Sequence, residues 1–510
     1  MMPMNHLRRR DVLLGSGAAV LTGAAPRQVQ AAATVLRVSN RANPDGLDPA
    51  TGIAGSDHVA LYPIYATLVE WDYATLKARP GIAEEWSFPD PLTMVLKLRS
   101  GVLFHDGTPC DAAAVKFNLE RCVNEPRSSV KGDVSSIASV ETRGTDQVVV
   151  HLKLPNTALP LALSDRSGMM ISPKALASPN GVVRNPVGAG PWKFVSWQDN
   201  ARIVLARNES YFKPGFPRID NLEFTIIPEL NTGLRSVIAG ENDIVFRVEP
   251  PQKVVIDRAK NLTLVMGPTL YVHQFFLNLS HPPFDNLKLR QALNYAIDRE
   301  AFNKATMMGL AEPTNTLLPK SHWAHDPSLD AAYPYDPAQA RRLMAEAGVG
   351  NGFEFNVLGY PDQTAQQRQE VLIEQLGKVG IRMKFTRASV GDSSAMYFGP
   401  EKRGDALLAA WTGRPDPSSS YSQNFAKEGF YNTGHVQLVP EMPEALAAAQ
   451  SSVDLDQRRE TFRRVQKLVV DNALFCPLVF DPEIDAHGPR VKNYRPNLLG
   501  KPKFDEVELA

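Results

Sequence analysis

The residues best suited to hold a charged ligand lie in one short segment, residues 411–417. It combines Trp411 and Gly413 with two groups of opposite charge, Arg414 and Asp416, and with two prolines. Proline restricts the backbone and glycine lets it approach a ligand closely, so the charged groups are expected to be held in fixed positions. The alternative is a structural turn in which Arg414 and Asp416 pair at the surface.

Other segments that superficially resemble catalytic or metal centres lack the required spacing. Residues 188–190 have no third glycine and precede a predicted strand, so they do not form a phosphate-binding loop. His322 and His325 have no third ligand at a telling spacing, and residues 391–395 lack the last glycine of a nucleophile elbow. We therefore predict that the protein is not an enzyme and has no catalytic residue, metal or cofactor.

Length and composition are those of an ordinary globular protein. A chain of 510 residues is too long for one hydrophobic core, so two or three domains are expected. A hydrophobic content of 43% and a charged content of 22% are typical of soluble proteins. The formal net charge of zero argues against a nucleic-acid partner, which would be held by an excess of basic residues.

Residues 1–33 have the composition of an export signal peptide. Three arginines at 8–10 precede a short apolar run, 12–25, and small residues at 31–33 suit a signal peptidase. The arginines are similar to a twin-arginine signal, although Val12 stands where that signal usually has phenylalanine, and general secretion stays open. No cysteine directly follows the apolar run, so we expect a soluble periplasmic protein without a lipid anchor.

Three cysteines, Cys110, Cys122 and Cys476, remain after this segment. The apolar spacing from Asp111 to Cys122 predicts a helix. That helix would separate the first two cysteines by roughly 18 Å at a rise of about 1.5 Å per residue. A disulfide needs Cα atoms within about 7 Å of each other. We therefore expect all three thiols to be free.

The elements that would position the ligand-binding residues change type near residue 281. Residues 271–280 are rich in aromatic and branched side chains and predict a strand. Residues 289–297 have helical apolar spacing, and Asp298 is the predicted cap of a second helix that ends at Gly309. We interpret this crossing from a strand-rich half to a helix-rich half as a hinge between two lobes.

Period-two alternation predicts further strands, and 3.6-residue spacing predicts further helices. The strands are residues 35–38, 92–98, 148–154, 192–197, 203–206 and 222–227, and the helices are 111–122, 337–347, 368–379 and 455–469. Asp336 is the predicted N-cap of the helix that starts at Pro337.

Several segments resemble, in the same order, the family 5 extracellular solute-binding proteins of ABC importers. They are LDPAT, PGIAEEWSF, LRSGVLFHDGTP, NPVGAGPWKFVSW, PFDNLKLRQALNYAIDRE, YDPAQARRLMAEAG and WTGRPDP. The resemblance covers nearly all of the chain beyond the export signal.

The resemblance implies an α/β fold of the large peptide-binder type, a two-lobed periplasmic-binding-protein fold with three domains. Residues 34–75, 190–285 and 483–510 would form a discontinuous lobe I, residues 76–189 a small strand-rich domain attached to it, and residues 286–482 lobe II. The lobes would close on a solute by a hinge motion that contacts with both lobes favour.

The resemblance also implies a function, the substrate-binding component of an ABC importer. The protein would capture a small solute and deliver it, as a monomer, to a permease complex in the inner membrane. Solutes of the family include oligopeptides, dipeptides, glutathione, opines, nickel chelates and some sugars. We favour a short peptide, because ligand-facing charges suit a zwitterion. A secreted hydrolase, or a periplasmic chaperone or receptor with this fold, is the alternative.

Roles for particular residues follow from the same resemblance. We call the segment WTGRPDP the tryptophan motif. In the family's peptide binders the acidic residue of the matching motif takes the ligand's α-ammonium group, and that residue would be Asp416 here. Trp411 would then form an apolar wall, and Arg414 would be an additional cation. Dipeptide binders take the carboxylate with an arginine on a preceding helix, and Arg368 is the nearest match. The residues that would either line the pocket or pack in the core are Tyr271, His273 and Tyr421.

Overall fold

The computed structural model describes residues 33–52, 55–178, 181–452 and 454–510, so the predicted export signal lies outside the described residues except for Ala33. The strands are β1 (Val35–Asn40), β2 (Val69–Trp71), β3 (Ala78–Pro80), β4 (Ala83–Asp90), β5 (Thr93–Leu98), β6 (Ile137–Arg143), β7 (Gln147–Leu152), β8 (Trp192–Gln198), β9 (Arg202–Arg207), β10 (Asn221–Ile226), β11 (Ile244–Val245), β12 (Thr263–Gly267), β13 (Tyr271–Leu277), β14 (Glu312–Pro313), β15 (Phe353–Gly359), β16 (Ile381–Arg387), β17 (Ala406–Thr412), β18 (Cys476–Phe480), β19 (Glu483–His487), β20 (Val491–Lys492) and β21 (Glu508–Leu509).

Helices lie between these strands throughout the described residues. The α-helices are α1 (His58–Ile64), α2 (Ala112–Asn124), α3 (Leu159–Ala162), α4 (Pro173–Leu176), α5 (Leu230–Ile238), α6 (Lys253–Arg258), α7 (Leu287–Tyr295), α8 (Arg299–Met307), α9 (Pro337–Glu346), α10 (Gln363–Gly377), α11 (Val390–Phe398), α12 (Pro417–Phe425), α13 (Met442–Ser451) and α14 (Leu455–Asp471). Short 3-10 helices lie at Gly55–Asp57, Arg166–Gly168, Pro250–Gln252 and Pro327–Leu329.

Three sheets contain most of the strands. A seven-stranded sheet has the order β12-β19-β11-β1-β10-β9-β8, and a six-stranded sheet has the order β14-β18-β13-β17-β15-β16. Both are mixed: β1 is parallel to β10 whereas β10 and β9 are antiparallel, and β15 is parallel to β16 whereas β13 and β17 are antiparallel. A smaller antiparallel sheet has the order β4-β5-β7-β6.

The alternation in the sequence explains how the small sheet forms its core. β5 buries Met94, Leu96 and Leu98 in one apolar cluster with Val115 and Leu119 of α2. Each such burial stabilises the fold by about 1.5–3 kcal/mol. The predicted strands at 92–98 and 148–154 are thereby confirmed as β5 and β7, and the other predicted strands are observed as β1, β8, β9 and β10.

The predicted helices also form, with their predicted caps. The Asp298 side chain accepts a hydrogen bond from the Ala301 backbone N–H at 2.9 Å and caps α8, and Asp336 likewise caps α9. Helix α10 begins at Gln363 rather than at the predicted position 368, because Asp362 caps it. The first turn of α10 is largely polar, so the spacing of apolar residues does not reveal it.

The chain passes twice between the two larger sheets, from β12 to β13 and from β18 to β19. The two connections bind each other. The Thr269 hydroxyl donates to the Asp481 carbonyl at 2.6 Å, and the Asp481 backbone N–H donates to the Tyr271 carbonyl at 2.8 Å. The first passage precedes residue 286, where the sequence places the start of lobe II.

Three large apolar clusters accompany the three sheets. Cys110 and Cys122 lie in the cluster of the small sheet, and Cys476 lies in that of the six-stranded sheet. All three are buried and free, which confirms the prediction from helix geometry. Within the described residues, no helix combines the length and the apolar character needed to cross a membrane.

Candidate functional site

A cavity of about 490 Å³ is bounded by residues of both larger sheets. On one side lie residues that follow β1 and β11 or belong to β19, and on the other lie residues of β13, β17, α8 and α10. Its volume falls in the range of about 300–1,000 Å³ that is usual for small-molecule sites. The lining residues that matter most below are Arg247, Tyr271, His273, Arg368, Glu483 and Lys501.

Arg368 lies on α10 and lines the cavity from the side of the six-stranded sheet. One terminal nitrogen lies 3.8 Å from the sulfur of Met307, which is a weak acceptor. Its Nε is buried and has no hydrogen-bond partner among the described residues. A buried donor without an acceptor costs free energy, so this guanidinium is suited to a carboxylate, which accepts two parallel hydrogen bonds.

Tyr271 and His273 line the cavity from β13. They are two residues apart and therefore lie on the same face of the strand, with their rings edge-to-face at 5.9 Å between centroids. The guanidinium carbon of Arg247, from the opposite sheet, lies 5.4 Å from the Tyr271 ring centroid. His273 Nε2 lies 2.9 Å from Asp481 Oδ2, so this histidine is anchored to one of the two connections between the sheets.

His58 and Lys501 line the cavity and form a largely buried cluster with Asp165. The Lys501 Nζ donates to Asp165 Oδ2 at 2.5 Å, and His58 Nε2 lies 2.7 Å from Asp165 Oδ1. Burial and the Lys501 charge lower the pKa of His58 to about 4, so the ring is neutral at pH 7. Burial would raise the pKa of Asp165, but Lys501 and His58 hold it well below its usual range. The cluster joins three chain segments that are distant in sequence.

Two carboxyl groups of β19, those of Glu483 and Asp485, lie on one face of the strand. Glu483 lines the cavity and is 5% exposed, and Asp485 behind it is 1% exposed. Asp485 accepts hydrogen bonds from the Tyr494 hydroxyl and from the Arg247 backbone N–H, both at 2.8 Å. Burial and the neighbouring Asp485 raise the pKa of Glu483, and burial also raises the pKa of Asp485.

Asp416 is the N-cap of α12 and is not among the residues that line this cavity. Both of its carboxylate oxygens lie 2.9 Å from one terminal nitrogen of Arg458 on α14. Oδ1 also accepts a hydrogen bond from the Ser418 backbone N–H at 2.9 Å. Asp416 is 2% exposed and Arg458 is 6% exposed, so the pair is closed to solvent. The predicted role of Asp416 in ligand binding stays a prediction.

Three further residues of the predicted site also lie outside the cavity lining. Trp411 is 4% exposed, and its ring meets that of Tyr431 edge-on at 4.4 Å between centroids. The guanidinium carbon of Arg414 lies 6.0 Å from the Trp411 ring centroid. Tyr421 is packed in the core of the six-stranded sheet, with its ring near that of Phe425.

The cavity thus brings together three of the predicted residues, Tyr271, His273 and Arg368. Arg247, Glu483 and Lys501 line it as well and were missed from the sequence. One signal for Glu483 was present. Residues 481, 483 and 485 are carboxyl-bearing and alternate in a segment that is otherwise largely apolar. Buried strands rarely contain unpaired carboxyl groups, because burying a charge is costly.

Comparison with known proteins identifies the family. Residues 77–432 match the family described as "Bacterial extracellular solute-binding proteins, family 5 Middle". The chain belongs to the family 5 extracellular solute-binding proteins. The glutathione-binding protein GsiB of Escherichia coli (strain K12) is a 29% identical relative over 432 residues, which cover 82% of this chain and 84% of GsiB.

Solved structures of this family have the same fold. HbpA2 from Haemophilus parasuis matches with a TM-score of 0.82 at 23% identity, over 93% of this chain and 100% of HbpA2. The ABC transporter-associated periplasmic binding protein DppA from Helicobacter pylori, in complex with the peptide STSA, matches with a TM-score of 0.79 at 23% identity, over 93% of this chain and 98% of DppA. The prediction of a two-lobed periplasmic-binding-protein fold is confirmed.

Family 5 proteins bind solutes and are not enzymes. The chain is therefore a substrate-binding component of an ABC importer, as the resemblance implied, and the hydrolase alternative is set aside. The cavity between the larger sheets has the volume and the charged lining that solute capture requires.

Proposed function

We propose that the solute of this family 5 protein is a short peptide or a similar zwitterion, bound in the cavity between the two larger sheets. The observation that carries the proposal is the placement of opposite charges, with Arg368 of α10 on one side and Glu483 of β19 on the other. A zwitterion satisfies both groups, whereas a neutral sugar would leave buried charge without a partner. The names of GsiB and of the DppA complex, with glutathione and a peptide, support the same class.

Arg368 binds the carboxylate of this solute. Its Nε is buried without an acceptor, and its other described neighbour in the cavity wall is the weakly accepting Met307 sulfur. The Tyr271 ring, already next to the Arg247 guanidinium, supplies an apolar surface beside it. Bidentate pairing with a carboxylate fits the planar guanidinium, so a lysine at this position would serve less well.

Two lobes close around the solute. We infer that the seven-stranded sheet with the small domain forms one lobe and that the six-stranded sheet with its helices forms the other. The paired connections at Thr269 and Asp481 would act as the hinge, since a few residues there absorb the change in backbone angles. Thr157 of the small domain supports a closed arrangement, because its hydroxyl lies 2.8 Å from the carbonyl oxygens of Gln450 and Ser452 in the opposite lobe.

Export to the periplasm completes the proposal. The pattern of residues 1–33 supports an export signal of the twin-arginine kind, and the absence of a cysteine directly after its apolar run supports a soluble product without a lipid anchor. The solute-loaded monomer would dock on the permease complex in the inner membrane. Replacing the arginines at 9 and 10 by lysine should abolish export by this route.

Identification of the bound solute tests the proposed function. Protein purified without unfolding and protein unfolded and refolded would be compared by native mass spectrometry. We expect a peptide mass on the first and none on the second, and saturable binding of that peptide to the refolded protein in calorimetry. A sugar or a metal chelate as the copurified solute would overturn the proposal.

A further inference from the structure

The carboxyl group of Glu483 is buried in the cavity wall with little compensation from described partners. Glu483 is 5% exposed, and none of the described N–H or O–H groups donates a hydrogen bond to its side chain. Its carboxyl group neighbours that of Asp485, which lies on the same face of β19. Two neighbouring buried carboxyl groups disfavour each other's ionisation, so one of them retains a proton more readily than an exposed carboxyl group does.

The groups around Glu483 leave the site negative. Asp481 and Asp485 lie beside it, Arg247 opposes them, and the Tyr494 hydroxyl binds Asp485. One proton on the Glu483–Asp485 pair leaves one negative charge there, which Arg247 opposes. His273 binds Asp481 at Oδ2, while the buried Oδ1 of Asp481 has no described hydrogen-bond partner. Lys501 does not balance these negative charges, because its Nζ is bound to Asp165.

The chain also leaves space for this carboxyl group. A Cβ atom on Gly500 would lie 2.9 Å from Glu483 Oε2, and the φ of Gly500 is +59°. Glycine adopts this backbone conformation at little cost and has no side chain to fill the gap. The C-terminal segment therefore passes close to Glu483 without covering it, and the carboxyl group keeps its access to the cavity.

The residue that the family resemblance assigns to an ammonium group is already occupied. Both oxygens of Asp416 bind Arg458 at 2.9 Å, and Asp416 lies outside the cavity lining. A carboxylate that is neutralised by a buried guanidinium has little attraction left for a second cation. An ammonium group that enters the cavity meets Asp481 and Glu483 instead.

We propose that Glu483 binds the ammonium group of the solute, in the role that the tryptophan motif would otherwise give to Asp416. This inference rests on the proposed function, a zwitterionic solute whose carboxylate binds Arg368. The two ends of the peptide would then contact opposite lobes, since Glu483 belongs to the seven-stranded sheet and Arg368 to the lobe of the six-stranded sheet. Such a ligand favours closure, because it gains both contacts only in the closed form.

Binding at Glu483 is coupled to a proton. The ammonium group stabilises the ionised carboxyl group of Glu483 and displaces the proton that it holds, and this proton leaves to solvent. Burial and Asp485 raise the pKa of Glu483 in the free protein. Glu483 therefore still holds its proton at pH values above those at which an exposed carboxyl group loses it. The affinity for the ammonium group therefore falls as the pH is lowered from neutrality, because the ammonium group must displace this proton.

Retention of peptides by the refolded protein tests the inference. The probes are an equimolar mixture of dipeptides with free amino termini and the same mixture after N-acetylation, with the retained fraction read by mass spectrometry. Wild type should prefer the free mixture by about ten- to a hundred-fold, the range of one charged hydrogen bond. Glu483→Gln should abolish the preference. Glu249→Gln is the matched control, because Glu249 lines the cavity but is 42% exposed and lies near Arg41.

The outcomes separate the two proposals. If wild type retains free and acetylated peptides equally, or if Glu483→Gln keeps the preference, the assignment of Glu483 is wrong while peptide binding stands. If wild type retains neither mixture, the proposed function is wrong, and so is this inference, which rests on it. If Glu483→Gln does not fold, wild-type calorimetry in two buffers of different ionisation enthalpy decides. Proton release near pH 7 supports the inference, and its absence overturns it.

Discussion

Asp416 and Arg458 form a buried ion pair that joins the first turn of α12 to the first turn of α14. Both carboxylate oxygens lie 2.9 Å from the same guanidinium nitrogen. A buried pair of this kind stabilises the fold little more than an apolar contact would, but the loss of one partner leaves the other charge buried and unpaired. The tryptophan motif of this chain therefore has a structural contact whose removal is measurable.

The first prediction concerns this pair. Asp416→Asn should lower the free energy of unfolding by about 3–5 kcal/mol, because Arg458 is left buried without a counter-charge. Asparagine still caps a helix, so the loss reports the charge and not the cap. Urea unfolding measures it. The double variant with Arg458→Gln should recover part of the loss.

Peptide affinity of the same variant decides between the two interpretations of Asp416. The ion pair predicts an unchanged Kd for the folded protein. Unchanged stability together with a Kd raised about ten-fold or more would show that Asp416 binds the ligand, as its place in the tryptophan motif predicts.

The second prediction concerns Arg368. Arg368→Gln should weaken binding of a peptide with a free carboxylate by about ten- to a hundred-fold, because the charged hydrogen bonds to the guanidinium are lost. Arg368→Lys should recover only part of this affinity, since lysine lacks the planar pair of donors. Calorimetry with the C-terminally amidated peptide is the control, and equal losses for both peptides would contradict the assignment.

The third prediction concerns pH and His322. Burial lowers the pKa of His322 to about 3, and its Nδ1 accepts a hydrogen bond from the Ala324 backbone N–H, a bond that protonation at Nδ1 would break. The unfolded state, with an ordinary value of about 6.5, binds more protons between these values. Stability from this group is therefore present above pH 6.5 and is lost as the pH falls towards 3.

The measurement compares urea unfolding at pH 7 and pH 5. His322→Gln should lose about 2 kcal/mol less than wild type over this interval, although it is less stable than wild type at pH 7. His151→Gln, at a position where the side chain is 37% exposed, is the matched control and should behave as wild type. The comparison of variants cancels the opposite contribution of Glu483, whose raised pKa adds stability as the pH falls. Equal losses for all three proteins would refute the prediction.

The fourth prediction concerns closure. Thr157→Val removes the hydroxyl that contacts the carbonyl oxygens of Gln450 and Ser452 but keeps the shape of the side chain. Peptide affinity should fall about five-fold, the equivalent of one neutral hydrogen bond of about 1 kcal/mol in the closed form. Thr157→Ser should bind as wild type does. A valine variant with wild-type affinity and an unchanged radius of gyration in X-ray scattering would show that the contact does not support closure.

Local signals were enough to predict seven of the 21 described strands and six of the 14 described α-helices. The period of two in β5 and the helical spacing of α7 are set by which face each element buries, and caps such as Asp298 and Asp336 act within one turn. The family and the two-lobed fold also followed from the sequence, because their motifs are contiguous. Strand β13 was predicted from its residue types, but not its sheet. All but its first residue are buried, and such a strand has the same composition in either sheet.

The binding site was decided by the tertiary structure. Asp416 and Arg458 are 42 residues apart, and Glu483 reaches the cavity that Arg368 lines only because the chain returns from β18 to β19 beside Tyr271. The sequence by itself determined that Trp411, Arg414 and Asp416 lie in one short segment restricted by prolines, but it did not reveal the helix that Asp416 caps. Whether its charge is free for a ligand depends on which guanidinium packs against it. That is a long-range contact, and the free energy of burying a charge depends on every partner that surrounds it.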